Sequence, residues 1–419
     1  MYGLAAELFP VCRSLTGNGV RATLARLRQE IPAIRVLEVP TGTKCFDWVV
    51  PNEWNIDDAF LLDPDGNKVV DFKKNNLHVV GYSTPIDQEI DLEDLQSRLF
   101  SLPQMPDAIP YVTSYYKPFW GFCLTENERR KLKPGRYRAK ITSSLAPGHL
   151  TYGELLIPGK SAQEILLSTY VCHPSMANNE LSGPVVALAL AKWLLQKTER
   201  HFSYRILFLP ETIGSIVYLS RNLEVMKDKT YAGYQLTCVG DDRSYSYLSS
   251  RTGETVADRA ALHVLKHRAP DFKRYTFLQR GSDERQYCSP GVDLPVASVM
   301  RTKYSEYPEY HTSLDDLKLV SPQGLAGAIG VYREIIELLE WNRNFKVTCL
   351  GEPQLGKRGL YPNISTLDAD NELRDLMNFI AYADGKSDLF QICERIGVYA
   401  KRMIPTIQKL MAAGLLEAT

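Results

Sequence analysis

Several residues able to ligate a metal or move a proton fall at one kind of place in this sequence, just past a short apolar run. His173 comes after EILLSTYV, Glu211 after YRILFLP, Asp241 and Asp242 after GYQLTCVG, and His311 in the loop beyond LPVASVMR. A hydrolytic zinc site needs three or four nitrogen or oxygen ligands, an open position for water and a carboxylate to take the water's proton. His173 and His311 offer the imidazoles. Glu180 in CHPSMANNELSG, Glu211 and the Asp241-Asp242 pair offer the carboxylates, and a Glu211 that does not touch the metal is placed to act as general base.

The elements that must position these groups are legible from the pattern around them. Each apolar run is followed by a helical one: PVVALALAKWLLQK after His173, GSIVYLSRNLEVM after Glu211, and PQGLAGAIGVYREIIELLEW after His311. Near-continuous apolar strands alternating with helices predict a mostly parallel sheet covered on both faces, a three-layer α/β/α domain. Such sheets bind ligands beyond the carboxyl ends of their strands, where the candidate residues fall. Residues 4 to 31 look helical. From 41 to 150 short alternating runs such as DAFLLDPDGNKVVDF and RYRAKITSS, parted by Pro, Gly, Asn and Asp, predict an inserted β-rich module. The α/β domain is therefore expected over 1–40 and 151–345. After an LGEPQLGKRGLYP linker, 363–419 reads as a winged helix with three short helices from about 371.

Composition narrows the function classes. Forty-nine basic residues balance forty-nine acidic ones, so no overall field draws the chain to nucleic acid or an anionic membrane. The charges of the C-terminal segment also cancel, which predicts protein contact or a structural role there instead of DNA binding. No basic-then-apolar leader opens the chain and no run approaches the roughly 20 apolar residues of a membrane span, so the expectation is a cytoplasmic protein. Eight scattered cysteines without a CxxC pair suit reduced thiols. His263 and His267 are spaced i, i+4 but lack the HExxH glutamate and read as a solvated helix face. There is no GxSxG elbow, P-loop or GxGxxG turn.

The series CHPSMANNELSG, LPETIGS, TCVGDD, RGSDERQY and YPEYHTSLDD resembles the M28-type zinc aminopeptidases. More closely, it resembles the aminopeptidase-like proteins of the DUF4910 family, with an inserted DUF2172 domain and a C-terminal winged helix. The resemblance spans essentially the whole chain. It implies a phosphorylase/hydrolase-like α/β/α domain, an insertion similar to protease-associated domains, and one or two zinc ions per chain. His173, Glu211 and His311 fall on the metal and base positions of the M28 pattern. Asn179 stands where a metal-bridging aspartate is expected, Thr212 replaces the second glutamate of a pair, and Thr237 replaces a strand aspartate. Either Glu180 and the Asp241-Asp242 loop rebuild a two-metal site, or the site holds one ion.

Asp283 falls where the related glutaminyl cyclases carry a catalytic carboxylate, and Arg280, Arg285 and Tyr310 are candidate substrate contacts, the arginines for a carboxylate. The leading expectation is a zinc-dependent hydrolase cleaving an N-terminal peptide or small amide bond. The alternatives are a mononuclear acyl transferase or cyclase, and a non-catalytic protein that binds a peptide or amine. A homo-oligomer assembled through the insertion or the winged helix is also expected.

Overall fold

The computed structural model describes residues 1–360 and 367–419, so residues 363–366 of the expected winged helix lie outside the described residues. The chain forms two compact units: residues 1–258 with 272–330, and residues 259–271 with 331–419.

The first unit is built on an eight-stranded sheet. In chain order its strands are β1 (Arg35–Pro40), β2 (His149–Ile157), β3 (Glu164–Tyr170), β4 (Ser203–Leu209), β5 (Thr230–Gln235), β6 (Ser246–Leu248), β7 (Lys273–Tyr275) and β8 (Val296–Met300). In space they run β1-β2-β4-β3-β5-β8-β6-β7. The middle four, β4-β3-β5-β8, are parallel. Antiparallel pairs join β1 to β2, β2 to β4 and β8 to β6, so the sheet is mixed, with parallel pairing at its centre. Every residue of β3 is buried, as expected for a parallel strand covered on both faces.

Four helices matter for the site or its support: α1 (Tyr2–Leu8), α2 (Asn18–Glu30), α3 (Ser182–Gln196) and α4 (Ile213–Lys229). The first ten residues of α3 carry no charge, and nine of them are buried. A helix apolar all round belongs in a core. Its second residue must be glycine, because a Cβ on Gly183 would stand 2.3 Å from Thr169 Oγ1 and 2.4 Å from the Leu236 carbonyl oxygen. The Ser-Gly pair of the ELSG motif thus lets the helix start press against the ends of β3 and β5.

One polar cluster lies within this apolar framework. Arg205 on β4 donates to Glu164 at 2.6 and 2.9 Å, to Glu154 at 3.0 Å and to the Tyr218 hydroxyl at 2.5 Å. Buried charges of this kind persist only when paired and hydrogen-bonded.

The insertion leaves the sheet after Pro40 and returns at His149, which are paired neighbours on β1 and β2. It carries a four-stranded antiparallel sheet in the order Lys68–Asp71, Glu53–Leu62, Arg136–Ala146, Ile86–Asp91, and a small hairpin of Lys44–Cys45 with Trp48–Val49. It also pairs with the rim of the large sheet: Tyr111 N–H donates to the His311 carbonyl at 3.0 Å and Ser313 N–H to that of Ile109 at 2.9 Å.

In the second unit, the helices Leu367–Tyr382, Leu389–Ile396 and Ala400–Ala412 accompany a sheet of Asp384–Asp388, Asn344–Val347 and Leu416–Ala418. The strand from Asn344 precedes the linker; its Asn-Phe-Lys-Val run alternates but is only four residues long, and its pairing partners lie far along the chain. His263 corrects the expectation of a solvated face. It is 1% exposed, with Nδ1 at 2.8 Å from Glu394 and Nε2 accepting the Ala400 N–H at 2.9 Å. Among the described residues no disulfide forms and no helix is long and apolar enough to cross a membrane.

Candidate metal centre and active site

The chain leaves β3 at Tyr170, and three residues later His173 lies buried at the sheet edge. Glu180 holds it: one carboxylate oxygen accepts the His173 backbone N–H at 2.9 Å and faces Nδ1 at 3.0 Å. The other oxygen of Glu180 is 3.1 Å from the fully buried Arg13 guanidinium, which also donates to the His173 carbonyl at 3.0 Å. With Nδ1 engaged, Nε2 is the free face of the ring, and it lies 3.5 Å from Glu211. Burial works against charge on His173, but Cys172, Glu180 and Glu211 more than offset it and hold its pKa well above the usual imidazole value.

Glu211 follows β4. Its backbone N–H points to Cys172 Sγ at 3.3 Å, and its Oε1 accepts from Ser282 Oγ at 2.8 Å. Burial raises its pKa, while His173, Ser282 and Arg285 oppose the rise. The next residue, Thr212, has φ of 64°, a rare conformation for a β-branched side chain that persists only when its surroundings impose it. Asp283 imposes it by accepting the Thr212 N–H at 2.7 Å, and Arg285 donates to Thr212 Oγ1 at 2.5 Å. This turn starts α4 and aims Glu211 at His173.

His311 also sits at positive φ, 55°. Its ring stacks on Tyr310 at 3.9 Å and lies 5.5 Å from the His173 ring between centroids. Tyr111, from the insertion, sets its edge against both histidines at 5.4 and 5.2 Å. Burial and the charge on His173 pull the His311 pKa down to about 3, and its Nε2 is buried with no hydrogen-bond partner among the described residues. A cavity of about 320 Å³ opens here, lined by His173, Glu211, Thr212, Arg285 and His311 together with Tyr111, Trp48 and Tyr116 of the insertion.

Not every expected residue reaches this cavity. Glu180 does not line the cavity: Oε2 engages His173, and Oε1 lies 3.1 Å from the Arg13 guanidinium but accepts no hydrogen bond among the described residues, so in this arrangement it orients an imidazole. Asp241 is locked by Thr302 N–H at 2.9 Å, Thr302 Oγ1 at 2.7 Å, Arg243 N–H at 2.9 Å and Asn178 at 3.1 Å. Asp242 receives Ser321 at the surface. The loop after Gly240 does not fold back because Asp241 anchors it to the segment beyond β8. Asp283 stands behind Thr212, with Oδ1 also accepting from Ser215 at 2.8 Å; burial, then Glu211, pushes its pKa up to about 7. Arg280 is exposed and donates to the Phe277 carbonyl at 3.1 Å, away from the lining.

At the positions where the M28 resemblance implies carboxylates the side chains are neutral, and Asn179 and Thr237 are joined through Tyr170 while Asn179 Nδ2 is buried without a partner among the described residues. Tyr170 donates its hydroxyl to Asn179 Oδ1 at 2.8 Å and lies 2.5 Å from Thr237 Oγ1. Asn179 is fixed from behind by Asp315, which accepts the N–H groups of Asn178 at 2.6 Å and Asn179 at 2.9 Å. Arg13, Tyr111, Ser282 and Asp315 escape sequence reasoning because each acts across more than 60 positions of chain; Ser282 and Asp315 carried a signal, as parts of RGSDERQY and HTSLDD.

The cavity offers donors that a divalent ion takes. The outward Nε2 of His173 and the Nε2 of His311, buried without a hydrogen-bond partner among the described residues, are imidazole donors of the kind zinc binds, the Glu211 carboxylate beside them can serve as ligand or as base, and the His173–Glu180 contact is the outer hydrogen bond such a histidine carries. A second ion would meet an amide and two hydroxyls at Asn179, Thr237 and Tyr170, a poor set for bridging cations. A tighter trio, Cys172, His173 and Glu180, has ligand atoms within 4.8 Å of one another, but Glu180 is already ion-paired with Arg13.

Comparison with known proteins agrees with this architecture. A family model described as a domain of unknown function, DUF4910, matches residues 2–342, and a winged helix-turn-helix model matches 343–418. A Clostridium acetobutylicum protein, named for polysaccharide biosynthesis and an aminopeptidase-like domain, is 44% identical across 100% of this chain and 96% of its own length. A crystal structure of a C. acetobutylicum protein named as a peptidase superposes with a TM-score of 0.94 at 42% identity, covering 100% of this chain and 96% of that one. The zinc aminopeptidase of Bacillus subtilis shares the fold, with a TM-score of 0.58 at 13% identity over 81% of this chain and 93% of its own. The chain belongs to the DUF4910 family, an aminopeptidase-like α/β fold followed by a winged helix-turn-helix region.

Proposed function

We propose that this protein is a metal-dependent hydrolase of the aminopeptidase type that cleaves an amide bond with a single zinc ion. The observation that carries the reading is the meeting of His173 Nε2, Glu211 and the unpartnered Nε2 of His311 at one cavity. His173 and His311 would hold the ion. When bound, it polarises the scissile carbonyl and lowers the pKa of an attacking water.

Glu211 takes the water's proton and returns it to the leaving nitrogen. Burial raises its pKa, which makes it a stronger proton acceptor than an exposed carboxylate. Ser282 fixes its rotamer through Oε1, and the Asp283-braced turn at Thr212 fixes its backbone. Tyr111 and the insertion cover the two imidazoles and keep bulk water from them.

Kinetics and elemental analysis of Glu211→Gln test the assignment. Turnover falls by roughly 100-fold or more, as for loss of a general base, while metal content stays near one ion per chain. Loss of the ion in this variant would make Glu211 a ligand instead, and two ions in the wild-type protein would overturn the mononuclear assignment. A cyclase chemistry finds less support, because Asp283 is engaged behind Thr212 and does not line the cavity.

A further inference from the structure

We propose that the substrate is an N-acylated amino acid or similar small amide with a free carboxylate, held by Arg285, and not a chain with a free amino terminus. This rests on the hydrolase reading of the same cavity.

The charges lining the cavity motivate it. Glu211 is its one carboxylate among the described residues, and its oxygens already face Ser282 and His173. A free α-ammonium in a mostly buried site calls for a second carboxylate to balance its charge, and none lines the cavity among the described residues. Two further carboxylates stand behind the lining: Asp283 is buried with Oδ1 committed to Thr212 and Ser215, and Glu180 is buried with Oε2 on His173 and Oε1 beside Arg13. Arg285 presents the opposite situation. It lines the cavity and makes no ion pair among the described residues; its Nη2 donates to Thr212 Oγ1 and its Nε is buried without an acceptor. A planar guanidinium in this state matches a carboxylate.

The remaining wall suits the rest of such a molecule. Leu15, Ile213, Trp48 and Tyr116 line the same cavity, and the two aromatic rings meet edge to face at 6.0 Å while remaining 37% and 56% exposed. They offer an apolar surface for an acyl group or side chain. A volume of about 320 Å³ is at the small end for ligand pockets, the size of one residue with its acyl group. In the reaction, the water oxygen bonds to the acyl carbon and the amide C–N bond breaks. The water's proton passes through Glu211 to the leaving nitrogen, so the products are a carboxylic acid and an amino acid with a free amine.

A panel of N-acetyl-L-amino acids is compared with the matching L-amino acid p-nitroanilides, using protein with its ion bound. The acetylated acids are expected to have kcat/KM higher by roughly 100-fold or more. Arg285→Gln raises their KM by roughly 30-fold with kcat changed far less, and Arg285→Lys recovers part of the loss, which a merely structural arginine would not show. Preference for the anilides overturns the substrate assignment and leaves the hydrolase reading standing. Turnover of neither set is the failure of the hydrolase reading. Thermal shift of the protein as isolated then decides the assignment: stabilisation by N-acetyl-L-amino acids that is lost in Arg285→Gln upholds it, and an absent or unchanged shift overturns it.

Discussion

Glu180 reaches back seven residues to grip His173 twice with one carboxylate oxygen, at the backbone N–H and at Nδ1, while Arg13 neutralises the other oxygen. This grip sets which imidazole nitrogen faces the cavity. Replacing Glu180 with Gln keeps the shape but removes the charge that fixes the tautomer. Zinc affinity is expected to fall by roughly 10- to 100-fold, as for other outer hydrogen bonds to metal-binding histidines. Competition with a chelator measures it, and an unchanged affinity would remove Glu180 from the metal centre altogether.

A larger stability effect is expected at Arg205. Its removal leaves Glu154 and Glu164 buried with their main cation gone. Arg205→Ala should cost about 3–5 kcal/mol, read as a lower urea midpoint at neutral pH. A loss below about 1 kcal/mol would mean that water replaces the guanidinium.

Gly183 gives a geometric test. The Cβ of Gly183→Ala would fall on Thr169 and on the Leu236 carbonyl, and backbone cannot yield as a flexible side chain does. Destabilisation of about 1–3 kcal/mol is expected for overpacking of this kind. Because α3 begins just after Glu180, zinc affinity should fall as well; a variant with wild-type midpoint and affinity contradicts the close approach.

Asp315 supplies a pH dependence away from the metal. Burial raises its pKa from the ordinary 3.8 to about 6, against the opposing bonds from Asn178, Asn179, Tyr307 and Ala177. A raised folded-state pKa means that the folded protein holds the proton more tightly than the unfolded chain. The contribution is therefore complete below about pH 4 and is lost as pH rises through about 6. Relative to Asp315→Asn, the wild-type protein should lose about 2–3 kcal/mol between pH 4 and 7. Urea titrations of both proteins at the two pH values give the difference, and a gain on going to pH 7 would reverse the assigned direction.

The order of strand and helix, the insertion and the placement of His173 and Glu211 just past strand ends, with His311 in the loop beyond another, were legible locally, because apolar runs and their flanking residues carry that information. Where the expectation and the structure part, the cause is contact across the chain. Asp241 reads as a ligand until Thr302 and Asn178 are seen to satisfy it. His263 reads as solvated until Glu394 and Ala400 cover it. The strand Asn344–Val347 exists through pairing with segments about 40 and 70 residues away.

What the sequence alone determined is the chemistry on offer: two histidines and a glutamate after apolar runs, and an amide and two threonines where the M28 resemblance implies carboxylates. Tertiary structure decided how that chemistry is used. Contacts between residues near and far in the chain turn Glu180 into a brace, join Asn179 to Thr237 through Tyr170 and, among the described residues, leave His311 Nε2 without a partner and Arg285 without an ion pair. A side chain's role depends on which of its polar atoms remain unsatisfied once it is buried, and only the folded chain determines that.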